Sequence, residues 1–254
     1  MYQVDLNSDL GESFGNYTLE ANDEIMRHVS SANVACGLHA GDPVVMAHTV
    51  ALAKEYGVGV GAHPSYPDLQ GFGRRRMIMK KEELRDFITY QIGALYAFTK
   101  AAGVPLLHIS AHGALGNVAQ ADMDTARAVC EATASFDDSI RILYYGNSCL
   151  KEVADHMGLP TVSLAFADRG YMEDGSLVPR GQPGDMIKDA EQAVARVIRM
   201  VKEGKVTAST GRDIDIKAES ILVHGDGAHA VEFVLALKAA FQREGIQIKN
   251  FAQR

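Results

Sequence analysis

Length, composition and charge narrow the classes of fold and of binding partner that this chain can have. It has 254 residues, 47% of them hydrophobic, and a formal net charge of −7 at pH 7. A chain of that size buries a substantial core, either as one large α/β domain or as two small ones. The negative charge argues against nucleic acid or an anionic membrane surface as the main partner. No apolar run approaches the ~20 residues that a membrane-spanning helix needs.

The cysteines and the first residues of the chain indicate a compartment. Cys36, Cys130 and Cys149 form no CxxC pair and leave an odd thiol, which suits a reducing environment. The first twelve residues become acidic at once and lack a basic stretch before an apolar one, so we predict no signal peptide. The expectation is a soluble, cytoplasmic protein.

Strand and helix patterns alternate along the whole chain. Asp42-Pro43 is a typical helix start and Gly57 a typical helix stop. The proline after His63 ends a buried strand. In chain order the sequence predicts a strand at 2–6, a helix at 18–28, a strand at 32–35, a helix at 43–56, a strand at 58–62, a helix at 80–102, a strand at 106–110, a helix at 122–134, a strand at 141–145, a helix at 148–157, a strand at 161–165, a long loop at 170–184, a helix at 186–203, a strand at 220–223 and a helix at 228–244.

This alternation predicts parallel strands joined by helical crossovers. About seven strands in a single domain spanning 1–254 are typical of a (β/α) barrel, which is the first choice. An open doubly wound sheet is the alternative, because the sequence does not show whether the sheet closes.

Polar side chains follow the predicted strands. Since the carboxyl ends of parallel strands share one face, we predict an active site there. A lone histidine is more often structural, whereas four at one face, beside carboxylates, favour chemistry. The residues, in order of their strands, are Asp5, Asn7, Asp9 and Glu12 after the first, His39 after the second, His63 after the third, His112 after the fourth, Asp168 and Arg169 after the sixth, and His224 and Asp226 after the last.

Three further sequence patterns are weaker evidence for a functional site. His108, Ser110 and His112 alternate, which predicts that they share one face with His108 deeper in the barrel and bonded to a buried neighbour. Gly57-x-Gly59-x-x-Ala62 resembles a dinucleotide fingerprint, but no helix follows it. The run 74–76 is either a solvated cationic stretch or an anion clamp, and its position favours the clamp for at least one arginine.

Five segments together resemble the LamB/YcsF family, in order and over essentially the whole chain: Asp5–Gly15, Ala35–Pro43, Gly61–Arg75, 167–180 and Val223–Asp226. The resemblance implies a seven-stranded barrel of the glycoside hydrolase/deacetylase type. It also implies one component of a 5-oxoprolinase that, with partner subunits B and C, opens the 5-oxoproline lactam to glutamate using ATP and Mg²⁺. Where the family usually has lysine, proline and tyrosine, this chain has Ser110, Ala111 and Gly116.

The chemistry of lactam opening then suggests roles for the strand-end residues. Asp9 is the first candidate for general base and Asp5 the second, with His63 and His112 as proton donors or oxyanion partners. Arg74 or Arg169 would hold the substrate carboxylate. The remaining substrate-binding candidates are Asn7, Glu12, His39, Asp168, His224 and Asp226.

Two other functions stay open. Asp and several His side chains also suit Zn²⁺ or a similar ion, as in a metal-dependent amide hydrolase or deacetylase acting on another small substrate. The substitution at Ser110 is compatible with a lactam-binding subunit that does not catalyse.

Overall fold

The computed structural model describes residues 2–18, 22–224 and 230–253, and everything below concerns these ranges. The strands are β1 (Tyr2–Leu10), β2 (Ser31–Ala35), β3 (Gly59–His63), β4 (Leu106–Ile109), β5 (Arg141–Tyr144), β6 (Thr161–Phe166), β7 (Lys205–Thr207), β8 (Asp213–Asp215), β9 (Ser220–Val223) and β10 (Ile246–Ile248). The helices are α1 (Asn22–Met26), α2 (Pro43–Tyr56), α3 (Lys81–Ala102), α4 (Gly113–Ala121), α5 (Met123–Ala134), α6 (Cys149–His156), α7 (Ala190–Glu203) and α8 (Ala230–Arg243), with a 3₁₀ turn at Phe251–Gln253.

Seven parallel strands form a closed barrel in the order β1-β2-β3-β4-β5-β6-β9, and β9 pairs back onto β1. The closing register places Asp5 opposite Ser220 and Ser8 opposite Val223. The predicted barrel is thus confirmed and the open sheet excluded. β10 pairs in parallel with the first residues of β1, outside the ring, and β7 and β8 form a separate antiparallel hairpin.

The helices begin and end where local chemistry predicts. Asp42 caps α2 by accepting from the backbone N–H groups of Val44 and Val45 at 2.7 and 2.9 Å, and Gly57 ends it with a φ of 67°. α3 is long because its buried side chains recur every three or four residues along one face: Leu84, Ile88, Gln91, Ile92, Leu95 and Thr99. Across the described ranges, none of the helices combines the length and the apolar character that crossing a membrane requires.

Several predicted boundaries were wrong. The first strand runs to Leu10, so Asn7 and Asp9 lie on β1 itself rather than in a following loop. The pattern misled because Asp5, Asn7 and Asp9 alternate with Leu6, Ser8 and Leu10, and all six side chains are buried. Polar residues that face the interior of a barrel give the same sequence pattern as a loop, so the strand could not be told from a loop here.

One helix and three short strands were not predicted. α4 contains Gly113 and Gly116 and carries a weak helical signal, while β7, β8 and β10 have only three residues each. The helix expected at 18–28 is shorter in the described residues, where α1 covers Asn22–Met26. Residues 19–21 lie outside the described ranges.

Candidate active site

A cavity of about 670 Å³ opens at the carboxyl end of the barrel. We call it the mouth cavity. Residues from six strand ends or the loops after them line it, including Asp9 of β1, His63 of β3, His112 after β4, Phe166 of β6, Arg169 after β6 and His224 after β9. The predicted face is therefore the one that carries the cavity.

Four buried side chains, here called the mouth cluster, meet at one side of this cavity: Glu12, His39, His63 and His112. One nitrogen or oxygen atom from each lies within 4.8 Å of the corresponding atoms of the others. His63 Nε2 is 2.9 Å from His112 Nδ1. Glu12 Oε1 is 3.4 Å from His39 Nε2 and 3.5 Å from His112 Nδ1. The rings of His39 and His112 stack, with centroids 3.9 Å apart.

Backbone carbonyls orient two of these imidazoles. His63 Nδ1 donates to the Ser110 carbonyl at 2.6 Å, and His112 Nε2 donates to the Phe72 carbonyl at 2.8 Å. A carbonyl oxygen only accepts, so these nitrogens carry the ring protons. In the neutral rings, the facing nitrogens His63 Nε2 and His112 Nδ1 are then both acceptors.

The loop after β3 is shaped to reach His112. Phe72 has a φ of 54°, the left-handed conformation that a non-glycine residue adopts only at a cost of about 1–3 kcal/mol. A Cβ at Gly73 would lie 2.2 Å from Ser65 Oγ and 2.8 Å from His112 Cδ2, so only glycine fits. The strained turn directs the Phe72 carbonyl at His112 and sets the Phe72 ring against the rings of His39 and His112.

Asp9 lies next to the mouth cluster. Its Oδ1 accepts from Asn33 Nδ2 at 2.8 Å and lies 3.4 Å from His63 Nε2. Asn33 Oδ1 in turn accepts from His108 Nε2 at 2.7 Å. His108 is thus the deeper histidine and bonds a buried neighbour, as predicted. Asn33 was not predicted, although a polar residue within the apolar strand SANVA was a usable signal.

Burial keeps the clustered imidazoles neutral. It lowers the pKa of His63, against the opposing effect of the Asp9 carboxylate, and holds the pKa of His112 well below its usual value with help from His39 and His63. Burial also lowers the pKa of His39 well below its usual value. Neutral rings serve as acceptors, ligands or bases.

A second group lies across the cavity. His224 Nδ1 bonds both carboxylate oxygens of Asp168, at 2.8 and 3.0 Å. Burial alone would lower the pKa of His224, but the Asp168 charge and hydrogen bond raise it, while Asp168 itself has a lowered pKa. Arg180 Nη2 lies 3.5 Å from His224 Nε2, so this wall presents the Arg180 guanidinium to the cavity. Arg180 was not among the predicted site residues, and it stands in the long loop predicted at 170–184.

The predicted arginines have different positions. Arg74 lines the mouth cavity and lies over the Phe72 ring, whereas its neighbour Arg75 pairs with Asp68 outside the cavity lining. Arg169 also lines the cavity, but its guanidinium donates to the Asp185 and Val178 carbonyls at 3.0 and 2.7 Å. Those bonds hold the 170–184 loop in place.

Two predicted residues do not join the site. Asp5 is fully buried below the cavity and accepts from the hydroxyls of Ser30, Ser31 and Ser220 at 2.6–2.7 Å. It lies level with the first residue of β9, so its position is structural. Asn7 is also buried in the barrel interior and outside the cavity lining. Asp226 falls outside the described residues.

The sequence and the fold match those of known proteins. The LamB/YcsF family model matches residues 4–254. A protein of Campylobacter jejuni strain 81-176, named as the A component of 5-oxoprolinase, is 54% identical over 248 residues, covering 98% of this chain and 97% of its own length. A protein of Pyrococcus horikoshii with the same name is 52% identical over 246 residues, covering 97% of this chain and 96% of its own.

A solved structure agrees with these matches. The lactam utilization protein of Thermus thermophilus superposes with a TM-score of 0.93 at 43% identity, over 98% of this chain and 100% of that one. Both the full-length family match and this fold agreement confirm the resemblance inferred from the sequence segments. The chain therefore belongs to the LamB/YcsF family.

Proposed function

We propose that this chain is the A component of a 5-oxoprolinase and that its mouth cavity binds 5-oxoproline and opens the lactam to L-glutamate. The observation that carries the proposal is the match, over 98% of the chain at 54% identity, to a protein named as that component. The cavity supports it, because a buried carboxylate and imidazoles face a cationic wall, as hydrolysis of a small anionic amide requires.

The cationic wall supplies a site for the substrate carboxylate. Arg180 lines the cavity on this wall, and a guanidinium binds a carboxylate through two parallel hydrogen bonds. Arg74 also lines the cavity, over the Phe72 ring beside the mouth cluster. Arg169 is already bonded to two carbonyls, so it contributes mainly charge. Asp168 holds His224 beside Arg180. Arg180 and His224 together would therefore fix the carboxylate end of the substrate.

The lactam amide would then face Asp9 and His63. Asp9 is oriented by Asn33 and lies beside His63, so it is placed to take a proton from an attacking water. His112 and His63 have their outer N–H groups fixed on carbonyls, so their inner nitrogens carry lone pairs, and His63 Nε2 lies beside Asp9. Such general base help contributes roughly 10²–10⁴-fold in rate.

ATP, with Mg²⁺, would supply the driving force by transferring its γ-phosphoryl group to the amide oxygen and releasing ADP. Water would then add to the activated carbon, the C–N bond would break as the nitrogen takes a proton, and a second water would hydrolyse the resulting γ-glutamyl phosphate to glutamate and phosphate. The cavity arginines fit an anionic group of this kind. The sequence has neither a GxxxxGKS nor a GxxxxGKT phosphate loop, so we assign ATP handling to the complex with subunits B and C. Three free cysteines support a reducing, cytoplasmic setting.

The test is a reconstituted assay for glutamate formation from 5-oxoproline, with and without ATP and with and without subunits B and C. We expect turnover only when all are present. Asp9→Asn and His112→Ala are expected to lower kcat by at least about 100-fold. Turnover without this chain, or unchanged turnover with both variants, contradicts the proposal.

A second candidate is metal-dependent hydrolysis of another small amide, favoured by the mouth cluster. The same assay separates the two, because this activity requires a metal ion and proceeds without ATP.

A further inference from the structure

We propose that the mouth cluster binds one divalent transition-metal ion, with Glu12, His39, His63 and His112 as its ligands. Such a site does not depend on whether a lactam is the substrate. The directions of the ring nitrogens and the distances among the four donor atoms support it.

The first observation is a pair of facing acceptors. His63 donates its Nδ1 proton to the Ser110 carbonyl, and His112 donates its Nε2 proton to the Phe72 carbonyl. The remaining nitrogens, His63 Nε2 and His112 Nδ1, are 2.9 Å apart. Two lone pairs at this distance repel each other unless a cation lies between or beside them.

The second observation concerns His39. It is buried, and both of its ring nitrogens lack a hydrogen-bond partner among the described residues. Its Nε2 nevertheless lies 3.4 Å from Glu12 Oε1, as close as an ion pair. A proton shared by His63 and His112 would satisfy that pair and leave His39 without a partner. A metal ion would bind one nitrogen of each of the three rings together.

The third observation is the spacing. Tetrahedral ligands about 2.0–2.1 Å from Zn²⁺ are separated by about 3.3–3.4 Å. Glu12 Oε1 is 3.4 and 3.5 Å from two of the imidazole nitrogens, and the four donor atoms all lie within 4.8 Å of one another. Small movements of the side chains would close these distances on one ion.

The surroundings match a metal centre in a second way. Histidine ligands usually donate their other N–H group to a carbonyl or carboxylate, which fixes the tautomer. His63 and His112 both do this here. Three imidazoles and one carboxylate suit Zn²⁺ and related ions, whereas Mg²⁺ prefers oxygen ligands. The ion would also place positive charge beside the mouth cavity, which His63 and His112 line.

The experiment uses the full-length chain without a histidine tag, stripped of metal by a chelator. It is titrated separately with Zn²⁺, Co²⁺ and Mg²⁺, and bound metal, the visible Co²⁺ spectrum and the melting temperature are recorded. We expect one Zn²⁺ or Co²⁺ per chain, a Co²⁺ absorption band typical of nitrogen ligands, and a raised melting temperature, with no response to Mg²⁺.

Two ligand variants and one control decide the location. Glu12→Gln preserves shape and His39→Ala removes a ring, and each is expected to weaken Zn²⁺ binding by more than the roughly 10–100-fold lost with an outer-shell partner. His48→Ala removes an exposed histidine on α2 and should bind as the wild type does. A cooperative thermal unfolding transition of each metal-free variant would show that the variant folds. Failure of the wild type to retain Zn²⁺, equal affinity in the ligand variants, or an equal response to Mg²⁺ would overturn the proposal.

Discussion

Asn33 connects a deep histidine to the carboxylate at the cavity. Its Oδ1 accepts from His108 and its Nδ2 donates to Asp9, so the amide has one orientation that satisfies both neighbours. All three side chains are buried. At the scale of single residues, Asn33 is therefore a positioning residue for Asp9.

Asn33→Ala is expected to lower stability and activity together. It leaves two buried polar groups without their partner, which costs about 1–3 kcal/mol in the free energy of unfolding. Asp9 loses its orienting hydrogen bond, and we expect kcat to fall by about 10–100-fold with KM changed less. Urea denaturation and steady-state kinetics of the reconstituted enzyme measure the two effects.

The double variant Asn33→Ala with His108→Phe separates them. Replacing the buried His108 donor removes one of the two unsatisfied groups, so part of the lost stability should return. Asp9 remains unsupported, so kcat should stay low. If kcat recovers along with stability, Asn33 is only a packing residue and the positioning role is wrong.

Arg180 makes a second prediction at this scale. It stands beside His224 at the cavity, and a guanidinium that binds the substrate carboxylate contributes to ground-state and transition-state binding alike. Arg180→Gln should raise KM for 5-oxoproline by about 10–100-fold with kcat nearly unchanged. Arg212→Gln, which removes an exposed arginine paired with Glu173, is the matched control. An unchanged KM in Arg180→Gln would place the carboxylate elsewhere.

At the scale of elements, much of the fold follows from the sequence. The seven barrel strands were all predicted, and α2, α3 and α5 begin and end within a residue or so of the expected boundaries, because capping residues and helix-stopping glycines act locally. The polar continuation of β1 and the short β7, β8 and β10 were not predictable in this way. Their strand conformation depends on neighbours distant in the chain.

The site residues likewise fall into those that local sequence patterns predict and those that depend on contacts between distant elements. The residues following β2, β3 and β4 were predicted as one cluster, since parallel strands bring their carboxyl ends together. The buried position of Asp5 was not foreseen, because depth in the barrel depends on strand register and stagger, which no single strand specifies. Asn33 and Arg180 were missed because their roles come from contacts between elements.

Packing between β3 and β4 gives an element-scale prediction. A Cβ at Gly61 would lie 2.1 Å from His108 Nε2, so the absence of a side chain on β3 makes room for the His108 ring. Gly61→Ala should destabilise the protein by about 1–3 kcal/mol. Gly93→Ala is the control. Gly93 lies inside α3, its added Cβ would be an ordinary 3.5 Å from Phe136, and alanine is a better helix former than glycine by about 0.5–1 kcal/mol. Thermal melts should move in opposite directions, and equal shifts would contradict the packing argument.

At the scale of the whole molecule, barrel closure brings two distant segments together at the mouth. β9 lies between β6 and β1, so Asp168 after β6 meets His224 after β9. The pKa of His224 is raised by Asp168 and by Asp9 and is opposed by burial and by Arg180, while Asp168 has a lowered pKa. The stability of the closed barrel should therefore depend on pH through this pair.

The sign follows from the two shifts. The raised pKa of His224 gives a stabilising contribution that is complete below its ordinary value near 6.5 and is lost as pH rises through the folded value. The lowered pKa of Asp168 gives one that is present above its ordinary value of 3.8 and is lost as pH falls through the folded value. The pair thus stabilises the fold most between about pH 4 and 6.5.

Asp168→Asn tests this, because asparagine keeps the shape and accepts the hydrogen bond but removes the charge. We expect the free energy of unfolding to fall by roughly 1–3 kcal/mol near pH 5.5, and the difference from wild type to shrink as pH rises through the raised pKa of His224 and the imidazole loses its proton in both proteins. Asp155→Asn, which alters an exposed pair with Lys151 on α6, should show little effect at either pH. Urea denaturation across pH 4–9 measures all three proteins. A wild-type advantage that grows as pH rises from 6 to 9 would mean that His224 is neutral in the folded barrel and that its contact with Asp168 is an ordinary hydrogen bond.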